Sequence, residues 1–346
     1  MRRHLNTLYV TTEGAYARKD GANVVVEVDD AERLRVPAHM IGGIVLFGRT
    51  SLSPALMGFC LEEGIAITHL SEHGRFLARV EGPVSGNVLL RRAQYRAAED
   101  PEKAARITRS MVLAKTVNQR AVVRRTLRDH GGAMDDPSRA SLEAAEARLS
   151  DIARRIERPA GVDGLRGLEG EASAVYFGVF DAFIRKADPF FRFEGRSRRP
   201  PLDPVNALLS FLYTLLTHDC RSALETVGLD PASGFLHALR PGRPSLALDL
   251  LEEFRPHLAD RLALSLINRG QVGPSAFRRM DNGAVLLTED GRKTVLVAWQ
   301  ERKKEELLHP FIEEKVSIGL LPHLQAQLLA RHLRGDLDGY PPMIWK

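Results

Sequence analysis

Glycine cuts the first eighty or so residues into short pieces, standing at 14, 21, 42, 43, 64, 74 and 82, and the runs between are rich in β-branched and aromatic residues. Residues 8–10, 24–28, 44–47, 65–70 and 76–80 are runs of this kind, and their length and bounding turns suit strands and exclude long helices. One interval differs. Residues 53–63 open on Ser53-Pro54, keep a helical apolar spacing and stop at Gly64, which predicts a single helix. From residue 87 the spacing turns helical and stays so for most of the chain. The expected fold class is α+β, with a β-rich N-terminal domain over 1–86 and a larger, mostly α-helical domain over 87–346.

The charge changes at the same point. Residues 87–130 hold eleven Lys and Arg against four Asp and Glu, a far stronger bias than the net +5 of the whole chain. Arg120, Arg124 and Arg125 lie in the densest part of this stripe, which fits either a phosphate backbone or a solubilising helix face. With 44% hydrophobic residues among 346, there is ample material for a core. No apolar run reaches membrane-span length and the start lacks a signal-peptide core, so the expected location is the cytoplasm, with no membrane association. Cys60 and Cys220 fit neither a zinc pattern nor a disulfide framework.

Two acidic clusters stand out. Asp249, Glu252 and Glu253 fall at i, i+3 and i+4, so a helix would bring three carboxylates to one face, where they repel unless a cation joins them. Glu169 sits between Gly167 and Gly170, ahead of a helical run, and His237 follows the apolar Gly234-Phe235-Leu236. Carboxylates plus one imidazole from separate helices suit Mn²⁺ or Mg²⁺ better than structural zinc. By residue type alone, a solvated acidic face and a packed histidine are the more ordinary readings.

The wording of these motifs carries a resemblance. Leu165-Arg166-Gly167-Leu168-Glu169-Gly170 with Ala172 and Tyr176, then Arg199-Pro200-Pro201 with Asp203-Pro204-Val205-Asn206, Gly228-Leu229-Asp230-Pro231, Gly234-Phe235-Leu236-His237 and Ser245-Leu246-Ala247-Leu248-Asp249 resemble the CRISPR-associated integrases of spacer acquisition, the Cas-one family, in an I-C-like form. Order and spacing agree along essentially the whole chain. The resemblance implies metal ligands at Glu169, His237 and Glu252, which are also the catalytic residues, with Asp249 as a possible additional acid. It further implies metal-dependent endonuclease and integrase chemistry with Mn²⁺ or Mg²⁺, in which a 3′-hydroxyl is joined to a CRISPR array by transesterification. The implied partners are double-stranded DNA (protospacer and repeat), a second copy of the chain contacting through the β-rich domain, and the small Cas-two protein. A general structure-specific nuclease and a non-catalytic DNA-binding scaffold remain open beside it.

Three further stretches carry expectations. Residues 184–201 interleave phenylalanines with basic residues, and we expect the phenylalanines to pack while Arg196, Arg198 and Arg199 face nucleic acid. Residues 285–288 and 294–298, separated by Glu289-Asp290-Gly291, read as a β-hairpin within 284–298. The apolar 340–346 stretch is an extended tail that either docks on a partner or folds back on its own domain.

Overall fold

The computed structural model describes residues 6–345 apart from 73, 75, 83–87 and 187. Residues 1–5 and 346 also fall outside that set, as does the expected domain boundary at 86/87.

The β-rich region holds two four-stranded sheets. Strands β1 (Asn6–Val10), β2 (Tyr16–Asp20), β3 (Asn23–Val28), β4 (Ala31–Pro37), β5 (Ile41–Phe47) and β6 (Ser51–Leu52) precede helix α1 (Pro54–Glu62), and β7 (Ala66–Leu70) and β8 (Phe76–Val80) follow it. One sheet has the order β1-β5-β7-β8, parallel except for its last pair, and the other has the order β4-β3-β2-β6. α1 forms as its sequence dictates, with the Ser53 hydroxyl accepting from Leu56 N at 3.1 Å and Pro54 in the first turn. β2 and β4 escape an apolar reading because charged side chains fill them. Arg18 pairs with Glu27 at 2.7 Å and Arg35 with Asp20 at 2.8 Å, on strands facing solvent.

β5 joins the two halves of the molecule. Its alternate residues Ile44 and Leu46 enter the small core of the β-rich region, whereas Val45 and Phe47 enter the large core of the helical region. A strand buried on both faces reads as an unbroken apolar run, which 44–47 is. Polar bonds reinforce the junction: Thr68 Oγ1 lies 2.9 Å from His218 Nδ1, and Gln300 Nε2 donates to the Thr7 carbonyl at 2.6 Å.

The helical region begins with α2 (Val88–Glu99), α3 (Pro101–His130), α4 (Asp136–Ile156) and α5 (Val162–Gly178). α3 starts at Asp100, whose carboxylate caps Glu102 N and Lys103 N, and it packs on α4 and α5. α6 (Pro204–Thr226), capped by Asp203, is the apolar pillar of the large core. α7 (Ser245–Leu251) runs through a turn and a π-helical stretch at Arg255–Asp260 into α8 (Arg261–Asn268). β9 (Phe277–Arg279), β10 (Val285–Leu287), α9 (Glu289–Lys304), β11 (Glu306–Leu308), β12 (Lys315–Ser317) and α10 (Leu321–Arg334) complete the order. Among the described residues no helix is long and apolar enough to cross a membrane, and Cys60 and Cys220 are buried and unpaired.

The hairpin expected within 284–298 is corrected. β10 pairs antiparallel with the upstream β9, not with 294–298, which lies inside α9. Thr288 caps that helix by accepting from Gly291 N at 3.2 Å, Glu289 and Asp290 occupy its first turn, and Arg302, Lys303 and Lys304 its last. Val295, Leu296, Trp299 and Lys303 are buried at helical spacing, so caps and burial override the β propensity of Thr294-Val295-Leu296-Val297. Of the two fates open to 340–345, the structure takes the fold-back: Tyr340 and Met343 are buried in the large core.

Candidate active site

Glu169 lies in α5, His237 in the loop ahead of α7, and Glu252 in the turn that ends α7. Arg166, one helical turn before Glu169, donates from Nε and Nη2 to the Leu236 carbonyl at 3.1 and 2.9 Å, so α5 is tied to the residue beside His237. Lys115 of α3 joins the other pair. Its ammonium contacts Glu169 Oε1 and sits 2.7 Å from Glu252 Oε2. Ser173 donates to Glu169 Oε1 at 3.0 Å, and Arg255 Nη1 to Glu252 Oε1 at 2.7 Å.

Asp249, Glu252 and Glu253 are all buried, but they share no cation. Each has its own donors. Asp249 Oδ2 accepts from Phe235 N at 2.6 Å and Leu236 N at 3.0 Å, while Oδ1 accepts from His237 N at 2.9 Å and lies 2.6 Å from His237 Nδ1. Both oxygens are thus committed to the loop. A carboxylate there requires the proton on Nδ1 and leaves the Nε2 lone pair for another partner, the arrangement common behind metal-bound imidazoles. Gly234 makes this possible, because a Cβ there would stand 2.6 Å from Asp249 Oδ2 and 2.8 Å from the Ser245 carbonyl carbon.

Glu252 is electrostatically dominated by cations. Burial pushes its carboxyl up, yet Arg255, Lys115 and His237 outweigh that and hold it well below the usual carboxylate range. Its Oε2 is close to Lys115 but unaligned for a hydrogen bond, so it is a buried oxygen paired by charge without a hydrogen-bond donor. Arg255 in turn lies 4.1 Å above the Tyr213 ring, and Tyr213 donates to Asp260 at 2.6 Å. Burial drives Asp260 up to about 6, against the pull of Arg255.

Among the described residues, no three His, Cys, Asp or Glu side chains converge as a finished ligand set. Lys115 bridges the two glutamates instead. The donor chemistry nonetheless fits a hard divalent ion: two carboxylates, one with a buried oxygen lacking a donor, and an imidazole whose other nitrogen is fixed. A +1 ammonium already sits where opposite charge is needed, and an ion entering there would displace it.

His237 and Glu252 line a cleft of about 2220 Å³ that reaches the β-rich region. Arg198, Arg199, Arg240 and Arg243 line it too, with no ion pair among the described residues. Arg196 also reaches the cleft wall, but its guanidinium is spent on the Ser197 carbonyl, Asn206 and Ser210 at 2.6, 2.5 and 3.3 Å. Arg120 and Arg124 face Glu146 at 3.4 and 3.9 Å and Arg125 faces Asp129 at 3.3 Å, away from the cleft residues. Phe191 and Phe193 pack in the core as expected of that stretch, but Phe190 stays exposed at 38%.

Sequence reasoning missed Lys115, Arg240 and Arg243. Lys115 is legible in retrospect. Thr108, Met111, Val112, Asn118, Gln119 and Val122 are buried at helical spacing on α3, and Lys115 interrupts that inward stripe with a charge. Arg240 and Arg243 carry no such signal, since a Gly/Pro turn gives no direction to its side chains.

Glu169 and Glu252 thus meet at Lys115, and Glu252 and His237 line one arginine-bearing cleft. The CRISPR associated protein Cas1 family model matches residues 8–301, and the chain belongs to that family. It is 62% identical over its full length, and that of the relative, to a CRISPR-associated endonuclease Cas1 of Rhodospirillum rubrum. The identity is 54% to one of Chlorobaculum tepidum, again with both chains fully covered. The fold is similar to the Cas1 protein of Thermotoga maritima (TM-score 0.80, 23% identity, 96% of this chain and 97% of that one). It is also similar to a casposase bound to integration product (TM-score 0.83, 23% identity, 99% and 95%).

Proposed function

We propose that this chain is a metal-dependent DNA endonuclease and integrase that joins the 3′-hydroxyl ends of incoming DNA to a CRISPR array. The observation that carries the reading is the Lys115-bridged pair Glu169 and Glu252 beside an imidazole fixed by Asp249. Family membership and relatives described as CRISPR-associated endonucleases support it. The I-C-like assignment rests on motif wording alone.

Glu169, His237 and Glu252 would hold the ion, Mn²⁺ or Mg²⁺, with Asp249 orienting His237 through Nδ1. When bound, the ion neutralises the reacting phosphate and makes the attacking hydroxyl or water a better nucleophile. Arg255 keeps Glu252 ionised and aimed. Arg198, Arg199, Arg240 and Arg243 hold phosphates along the cleft, Arg196 fixes the loop that presents Arg198 and Arg199, and Arg120, Arg124 and Arg125 offer a more weakly available second face. The partners in this reading are protospacer and repeat DNA, a second copy meeting through the β-rich domain of residues 1–86, and Cas2. A solved complex containing Cas1 and Cas2 has a fold similar to this chain (TM-score 0.81, 23% identity, 100% of this chain and 37% of that one). In this reading the protein works in the cytoplasm, where the array would be reached.

The test offers a duplex with 3′-hydroxyl or 3′-deoxy ends to a repeat-bearing plasmid, with Mn²⁺ or with chelator. Joined product only with the hydroxyl, the repeat and the ion is expected. Cutting without joining would make the protein a plain nuclease, and DNA binding with neither reaction would make it a scaffold.

A further inference from the structure

The segment 340–345 does more than close the core. Glu253, fully buried next to Glu252, accepts at Oε1 from the Tyr340 hydroxyl at 2.7 Å and at Oε2 from Met343 N at 2.8 Å and Gln325 Nε2 at 3.1 Å. Asn118, also fully buried, donates to the carbonyls of Glu253 and Met343 at 2.8 and 2.9 Å and accepts from Trp345 N at 2.9 Å. Asn118 lies three residues beyond Lys115 on α3, on the same helix face. The Trp345 ring stacks on His257 at 4.7 Å. The segment therefore grips both elements that bring Lys115 and Glu252 together, and it grips them within one residue of Glu252 and one turn of Lys115.

We infer that 340–345 is an internal strap that positions Glu252 for the ion, with Asn118, Glu253 and Tyr340 as its positioning residues. A segment serving only to fill space would use apolar contacts. Burying an amide and a carboxylate is costly unless each is fully bonded, and here four of their bonds go to the backbone and hydroxyl of 340–345, the others coming from Gln325 and joining Asn118 to the Glu253 carbonyl. A strap of this kind sets the angle at which the Glu252 carboxylate meets its partners, as supporting hydrogen bonds do around other oxygen ligands. The inference rests on Glu252 being a ligand.

The test titrates the full-length protein with Mn²⁺ by calorimetry, beside melting curves and KM and kcat for strand transfer. Variants are Tyr340→Phe, Asn118→Ala, Glu252→Gln, and Leu46→Ala, which destabilises the small core far from the strap. Tyr340→Phe removes one oxygen and keeps the ring, so it remains informative if Asn118→Ala fails to fold. The strap predicts about 10- to 100-fold weaker Mn²⁺ binding in Tyr340→Phe, a lower kcat, an unchanged KM for DNA, and wild-type Mn²⁺ affinity in Leu46→Ala. Wild-type affinity in Tyr340→Phe, with Glu252→Gln defective, would overturn the strap alone. Wild-type affinity in Glu252→Gln would overturn the ligand reading beneath it and the strap with it.

Discussion

Two stretches of α3, within about three turns of each other, carry the same kind of charge into opposite circumstances. Lys115 is buried between Glu169 and Glu252, whereas Arg120, Arg124 and Arg125 stand on the outer surface beside Glu146 and Asp129. The first cation lies in a poorly solvated place between Glu169 and Glu252, the latter also paired with Arg255, so each charge depends on the others. The second group consists of screened pairs, each contributing little. A basic helix is thus not one functional unit; the turn a residue occupies decides whether its charge is part of a site.

The difference is largest in catalysis. Glu169→Ala, His237→Ala and Glu252→Ala are each expected to cut strand transfer by at least about a hundredfold, with DNA affinity nearly intact by filter binding, since removing a preorganised charge acts on the transition state. Next comes stability. Lys115→Met leaves Glu169 and Glu252 without their bridge and should cost about 3–5 kcal/mol in denaturant unfolding at neutral pH, with Mn²⁺ restoring part of it by mass action. If Lys115→Met unfolds like wild type, the two faces of α3 are equivalent and the comparison fails.

DNA binding should show the smaller contrasts. Replacing Arg198, Arg199, Arg240 and Arg243 with Ala should make log K against log salt shallower by about 0.9 for each phosphate that is no longer neutralised. The same treatment of Arg120, Arg124 and Arg125 should change the slope less, because Glu146 and Asp129 already engage them. The reverse order, measured by fluorescence anisotropy across a salt series, would move the main DNA path onto α3.

Much of the fold is legible in the sequence, for physical reasons. Glycine-bounded apolar runs mark the principal strands, and Ser53-Pro54 with Gly64 bound α1. β2 and β4 are not legible because charged side chains, among them the cross-strand pairs Arg18–Glu27 and Arg35–Asp20, fill their solvent-facing positions and look like loop composition in one dimension. Residues 294–298 of α9 read wrongly as a strand because Thr294-Val295-Leu296-Val297 have a β propensity that the Thr288 cap and burial at helical spacing override. In the site, the motif resemblance implies Glu169, His237 and Glu252, which residue type alone does not single out, and the division of labour among Asp249, Glu252 and Glu253 stays hidden. Helical spacing puts them together; only tertiary structure shows that one bonds the His237 loop, one meets Lys115 and Arg255, and one holds the 340–345 strap. Burial pushes Glu253 up to about 7 despite its three donors, which marks how dry that third environment is.

The central claim is that Glu169, His237 and Glu252 share one divalent ion in place of the Lys115 bridge. Anomalous diffraction from a crystal grown with Mn²⁺ tests it directly. The account predicts one strong peak bonded to a carboxylate oxygen of Glu169, Nε2 of His237 and Oε2 of Glu252, with the Lys115 ammonium withdrawn from at least one glutamate. A peak elsewhere, or Lys115 still bridging both carboxylates at saturating Mn²⁺, would contradict it.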